Sequence, residues 1–374
     1  MIRTVTLALA LGLVSVGNSA SPVAKPAWNP KAAAAYLDRR AGWWIAWPDA
    51  ARDQGTFCIS CHTALPYSLA RPALRTALGE KEASNNERVL LEDVTKRVQL
   101  WNRIGPFYRD DYGAGRSQQS RGTESVLNAL ILASYDARNG SLTGTTRTAF
   151  QNMWALQEKA GPEKGSWPWL DFGNQPFEAK DSRFYGATLA AMAVGTAPEG
   201  FGPTPAVRTS VKLLRDYLER EYPNQSLINQ TDVLWASARL PGILTPNQQA
   251  SILNAILAKQ QADGGWSLSS LSWTWRGSTM KSMVKLWTRS EYPLLGNRSD
   301  GYATAVVALA LEETGFPREN VHLTDALRWL RTNQNPVDGR WAGYSLNHHR
   351  DASSGTSLFM SDAATAYAVL ALSE

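Results

Sequence analysis

The chain has 374 residues, 44% hydrophobic and 19% charged, which is the composition of a globular protein with one large or two medium cores and not of a disordered chain. Its net charge of +5 comes from dispersed lysines and arginines that form no run, which argues against a nucleic-acid partner. The unusual feature is aromatic, with 15 Trp, 12 Tyr and 9 Phe, and it predicts either a repeated packing role for tryptophan or an aromatic-lined cavity.

Residues 1–20 have the form of an export signal. Arg3 supplies the charged start, residues 4–16 an apolar core too short to span a bilayer comfortably, and Asn18-Ser19-Ala20 a small-residue cleavage site. A membrane anchor is the alternative at this end. With the signal removed, no other stretch approaches the ~18 apolar residues of a span, so the expected location is periplasmic or secreted. Residues 21–30 read as a linker and 31–374 as one domain.

The first amphipathic pattern covers residues 31–46. It is followed by residues 57–67, F-C-I-S-C-H-T-A-L-P-Y. This stretch holds both cysteines of the chain, Cys58 and Cys61, at C-x-x-C spacing, with one of only four histidines, His62, directly after them. C-x-x-C-H is the attachment signature of c-type cytochromes: two thioethers hold one haem, and the histidine is the proximal iron ligand. Two other uses are open. A zinc-type site needs a fourth ligand and commonly a second cysteine pair. A redox-active disulfide usually accompanies a thioredoxin-like βαβ pattern, which is absent, and a structural disulfide between Cys58 and Cys61 would close only a tiny loop and stabilise little.

Further along, small-residue-rich segments recur. Residues 300–311 (DGYATAVVALAL) match 362–372 (DAATAYAVLAL), and both resemble 183–193 (RFYGATLAAMA). Looser copies start near 121 and 230, and the cysteine stretch heads the series near 60. Each is apolar almost all round, so each predicts a buried helix. Before each lies a more amphipathic segment, near 31–46, 86–102, 144–160, 205–221, 246–262 and 321–334. Pro205 and Pro246 stand where a first helical turn accepts proline. Strand-like alternation is scarce. The expectation is all-α, twelve helices in six outer–inner pairs.

Three links between outer and inner segments share a signature. Gln157 leads to Gly165 and Trp167, Gln260 to Gly264, Gly265 and Trp266, and Gln334 to Gly339 and Trp341. This pattern resembles the QW motif of squalene and hopene cyclases, and the inner segments are similar to that superfamily, which includes the protein prenyltransferase β-subunits. The resemblance covers about residues 31–374 and implies an (α/α)6 toroid, with inner helices around a central cavity. An open solenoid is the alternative, and a count of six favours closure. The glutamine is expected to satisfy unpaired N–H groups at the next helix start while packing on the tryptophan.

The family's chemistry is not carried over with its shape. The D-x-D-D of the cyclases and the D-x-C of the prenyltransferase zinc site are both missing. Asp110, Asp111 and Asp181 read as loop carboxylates or helix-start residues, and Asp300 and Asp362 as N-caps of inner helices. A cyclase or lyase would need an acid not identified by motif. Tyr185, Tyr302 and Tyr367 recur near inner-helix starts, and Trp273, Trp275, Lys281, Lys285 and Arg289 crowd the loop over 265–299. An apolar or anionic small-molecule ligand in the cavity is therefore expected, with ordinary core packing as the alternative.

If the ring closes, the sixth inner helix is the neighbour of the first. The loop before it holds His348, His349 and Met360, the candidate distal ligands to haem iron. His322 reads as a surface residue. The sequence thus points to an exported toroid carrying one covalent haem c, serving electron transfer with a periplasmic redox partner or oxidation of a ligand in the cavity. A haem-free binding protein with a Cys58–Cys61 disulfide is the other reading.

Overall fold

The apolar residues of the first amphipathic segment recur at helical spacing. The helix they form, α1 (Pro30–Ala46), buries Ala33, Tyr36, Leu37, Arg40, Ala41 and Trp44 on one stripe. Asn29 starts it by accepting a hydrogen bond from the Ala32 N–H at 3.0 Å. This computed structural model describes residues 28–198, 201, 205, 207–272, 288–291 and 298–373. The signal segment, Trp273, Trp275, Lys281 and Lys285 lie outside the described residues.

The helices that follow are α2 (Ala64–Leu78), α3 (Asn85–Gln99), α4 (Arg116–Ala137), α5 (Gly144–Ala155), α6 (Ser182–Thr196), α7 (Arg208–Glu221), α8 (Leu227–Arg239), α9 (Pro246–Leu257), the short α10 (Leu268–Ser272), α11 (Gly301–Glu313), α12 (Val321–Thr332) and α13 (Phe359–Ser373). The protein is all-α: among the described residues the only strands are β1 (Ala51–Arg52) and β2 (Thr56–Phe57), a minimal antiparallel ribbon. Outer helices end a few residues earlier than their periodicity suggests, α5 at Ala155 and α9 at Leu257, because the segments beyond them turn back to present the glutamines. Pro246 occupies the first position of α9, behind a capping box of Thr245 and Gln248, whereas Pro205 precedes the start of α7.

Two classes of helix alternate. In α11 every residue from Gly301 to Leu311 is buried, and α13 is nearly as enclosed. In α7 only Val211, Leu214, Tyr217 and Leu218 are buried, at the spacing of one helical face. Each buried helix packs on the next of its class, α2 on α4, α4 on α6, α6 on α8, α8 on α11 and α11 on α13. The succession returns to its start, because α13 packs on α2 and also on α1.

The Gln-to-Trp links join neighbouring pairs by one repeated geometry. The Trp167 indole N–H donates to Met153 O at 2.6 Å, Trp266 to Ile256 O at 2.8 Å and Trp341 to Leu330 O at 2.7 Å. Each ring is fully buried and covers carbonyls near the end of its outer helix. Burying a tryptophan of ~200 Å² is worth up to about 5 kcal/mol, against about 1 kcal/mol net for its hydrogen bond, so the ring is the main term. The glutamines act differently from expectation. Gln157, Gln260 and Gln334 donate their amides to carbonyls of the following helix start, Ser210 O at 2.9 Å, His322 O at 2.8 Å and Asn29 O at 3.0 Å. Only Gln334 also accepts a backbone N–H there, from Asn29 at 2.6 Å. The partner carbonyls belong to residues at or near the N-terminus of the next outer helix, and the amide reaches across to them. His322 is partly buried and bonded to Gln260 through its ring, which corrects its reading as plain surface.

Gly339 fixes the last of these links. Its φ is +82°, and a Cβ there would lie 2.3 Å from the Ala32 carbonyl carbon in α1. Gly339 therefore meets α1 as Gly165 meets α7 and Gly264 meets α12.

Candidate functional site

The cysteine stretch is shaped by its own backbone. The Cys58 N–H donates to Ala50 O at 2.8 Å, and Phe57 N–H to the Asp93 carboxylate at 2.9 Å, which anchors the end of the β ribbon. Arg97, paired with Glu124 at 2.6 Å in full burial, also reaches the Thr56 hydroxyl. The two residues between the cysteines have separate tasks. Ile59 is buried in the core, and the Ser60 hydroxyl accepts from Thr63 N at 3.2 Å and Ala64 N at 3.0 Å, capping the turn that opens α2. The motif thus lies in the turn just before the helix.

His62 is oriented by a chain of hydrogen bonds whose direction can be worked out. Asp362 accepts from Tyr36 OH at 2.7 Å, Arg40 Nε at 2.7 Å and Nη2 at 2.9 Å, and Thr63 Oγ1 at 2.7 Å. Burial raises the Asp362 pKa, but the bidentate Arg40 guanidinium, with the Thr63 and Tyr36 hydroxyls, opposes it, so we take it as the carboxylate. The Thr63 hydroxyl proton is therefore spent on Asp362, and its oxygen accepts from His62 Nδ1–H at 2.9 Å. This fixes the tautomer and leaves the Nε2 lone pair free. Burial, with the Arg350 and Arg40 charges behind it, pushes the His62 pKa down to about 3, so the ring is neutral. Phe359 stacks on it at 3.8 Å, and Trp44 meets it edge-on at 5.2 Å.

Asp362 is consequently not an N-cap. It lies in the first turn of α13, which begins at Phe359, and its side chain ties that helix to α1 and to the turn before α2. Asp300 does cap α11, accepting from Ala303 N at 2.9 Å.

His62 and Cys58 line a cavity of about 380 Å³, within the usual range of small-molecule sites. Trp44, Trp47, Tyr108, Phe172, Phe177 and Phe359 make its wall largely aromatic, and Glu178, Asn347 and Arg350 add polar groups. Of the candidate distal ligands, Met360 lines this cavity and is nearly buried. His348 is bonded through Nε2 to Asn174 at 2.8 Å, and His349 is exposed. Tyr185, Tyr302 and Tyr367 are buried behind the cavity: Phe177 contacts Tyr185 at 5.6 Å and Tyr302 at 5.5 Å, and Tyr302 contacts Tyr367 at 5.8 Å.

Cys58 and Cys61 are both buried free thiols. Burial pushes Cys58 up to about 12 and Cys61 well above its ordinary value, so both are neutral. Among the described residues, no three His, Cys, Asp or Glu side chains converge to hold a bare metal ion. A zinc site wants thiolates converging on one point, and this donor set does not supply them. Its donor types are those a c-type haem uses, a thiol at the cavity wall and a neutral imidazole with free Nε2 in an aromatic enclosure, while Cys61 is buried and does not line the cavity.

No protein-family model matches the chain, and no curated protein matches it.

Sequence reasoning missed four groups. Arg350 lies in the loop whose histidines the sequence places beside the cysteine stretch but is not itself singled out there, and Glu178 reaches the cavity from the loop before α6, where no local pattern marks it. Burial raises Glu178 to about 7. Asp232 on α8 is buried, its Oδ2 has no partner among the described residues, and its pKa rises to about 8. It meets the cyclase reading's need for a buried acid better than Asp111, which is exposed. Arg40 was legible in principle, being a charge on the apolar stripe of α1.

Proposed function

We propose that the chain is an exported electron-transfer protein that carries one covalently attached c-type haem at the rim of an (α/α)6 toroid. The observation that carries this reading is the fixed tautomer of His62, whose free Nε2 shares an aromatic cavity with Cys58. Cys58 and Cys61 would hold the porphyrin through thioethers, and His62 would be the proximal ligand. The haem would supply a one-electron couple when bound. The chain's own residues hold the imidazole neutral, keep it oriented through Thr63 and Asp362, and exclude water with Trp44, Trp47 and Phe359. Met360, at the cavity wall, is the preferred distal ligand over His348 and His349. Arg350 offers a positive charge to acidic groups of the cofactor.

The toroid reading rests on the returning succession of buried helices and on the Gln334 and Gly339 contacts to α1. Export to the periplasm rests on the signal-like residues 1–20 and on the chemistry of haem attachment. The redox partner would be a periplasmic protein. The test is the intact mass and reduced haemochrome spectrum of the exported protein, made in cells competent for cytochrome c maturation. One added haem is expected. A mass without it would overturn the reading and leave the haem-free binding protein, whose Cys58–Cys61 disulfide the same mass would reveal as a loss of two hydrogens.

A further inference from the structure

Thr63 follows C-x-x-C-H directly and stands at the N-cap of α2, where a threonine hydroxyl ordinarily accepts a hydrogen bond from the first helical turn. Here it makes no such bond, and the Ser60 hydroxyl takes the N–H groups of Thr63 and Ala64 instead. Helix stability therefore does not account for the orientation of this side chain. Its hydroxyl is turned the other way. It donates to Asp362 Oδ2 at 2.7 Å and accepts from His62 Nδ1–H at 2.9 Å. Thr63 is 2% exposed and Asp362 1%, so water does not compete for either bond.

Two properties of this chain of bonds decide what it can do. The carboxylate polarises the hydroxyl, which makes its oxygen a better acceptor and the imidazole a stronger donor at Nε2. The carboxylate and Nδ1 are nevertheless held apart by the hydroxyl, so the ring keeps its proton. We infer that Thr63 is a positioning residue that sets the redox potential of the haem site: it relays the Asp362 charge to His62, strengthens the imidazole as an iron ligand and favours the ferric state. The inference rests on the haem reading above. One electron passes between iron and redox partner, the Nδ1 proton stays on His62, and Thr63 tunes the couple without changing its stoichiometry.

The test is an equilibrium redox titration of the haem-loaded full chain at one pH, beside nitrogen NMR of the haem-free chain. Thr63→Val keeps the shape and removes the hydroxyl. It should raise the ferrous-to-ferric ratio about tenfold at a given poise, a midpoint rise of ~59 mV. Thr63→Ser keeps the hydroxyl and should stay near the parent value. Tyr36→Phe takes one donor from Asp362, leaves more of its charge to Thr63, and should lower the midpoint. A general loosening of the site would not move the two variants in opposite directions. In the haem-free chain, the single Nδ1–H tautomer should become a mixture in Thr63→Val and persist in the other two. The inference is overturned if Thr63→Val titrates with the parent, if Thr63→Ser shifts as far as Thr63→Val, or if Tyr36→Phe raises the midpoint. That last result decides even if Thr63→Val does not fold. A chain without haem by intact mass would overturn the haem reading itself, and the NMR comparison would still decide whether Thr63 holds the tautomer.

Discussion

Three loops of the chain carry Gly and Trp before a buried helix, one carries C-x-x-C-H, and the same kind of hydrogen bond runs in opposite directions across them. In the tryptophan loops the indole belongs to the loop and donates to a carbonyl of the outer helix. At the cysteine loop the indole belongs to the outer helix: Trp44 donates to Cys58 O at 2.7 Å. Both arrangements wedge a buried tryptophan between helix and loop. Moving it to the helix frees the loop's side chains, and those are the positions that Cys58 and Cys61 occupy. On the proposed reading, a structural joint becomes an attachment site by exchanging which partner brings the aromatic ring.

The largest test of that contrast is all-or-none. Replacing both Cys58 and Cys61 by Ser should remove covalent haem completely, read by intact mass, and leave the helical circular dichroism of the protein in place. Trp341→Ala should do the reverse: haem stays attached, while urea denaturation shows a loss of about 3–5 kcal/mol for a large buried aromatic. If Trp341→Ala costs under ~1 kcal/mol, the tryptophan loops are not the joints described here.

Asp362→Asn should cost a comparable ~3–5 kcal/mol, because it leaves Arg40 buried without its counter-charge. It should also free Nδ1 of His62, so nitrogen NMR of the haem-free protein would show a mixture of tautomers where the parent shows one. A single Nδ1–H tautomer in the variant would sever Asp362 from the site.

The surroundings of His62 and the buried helix α8 should differ in pH response. His62 has a folded pKa near 3, below its ordinary value, so stability is lost as pH falls from about 6.5 toward 3, and His62→Gln should remove that loss. Asp232 is the opposite case. Its folded pKa is raised to about 8, so the native state binds the extra proton and stability declines as pH rises from about 4 to 8. Asp232→Asn should flatten that decline in urea midpoints measured across the range, and an unchanged slope would show that the carboxyl finds a partner. The smallest effect is expected from Trp44→Phe, which deletes one buried hydrogen bond and leaves Cys58 O unpaired, for about 1–2 kcal/mol by urea denaturation.

The helices were legible because their signals are local: all-round apolar runs such as 300–311 and one-sided stripes such as that of α7. Cys58, Cys61 and His62 were legible as a five-residue motif. The site around them was not. Asp362 was misread because α13 begins three residues earlier than its apolar run suggests, so an apparent cap lies inside the first turn. The tautomer of His62 depends on residues 36, 40, 63 and 362, and no window of sequence contains them together. Glu178 and Arg350 reach the cavity from loops that only the packing of α6 and α13 brings near α1.

The clasp at Asp362 also sets an order of events during synthesis. Cys58, Cys61 and His62 emerge early, and the carboxylate that aligns the imidazole lies 300 residues further along the chain than His62. A nascent chain can present its thiols long before the His62 imidazole is aimed. On the proposed haem reading, attachment and alignment are separate stages of maturation, and a chain truncated before α13 would keep every atom needed for the first and lose the second.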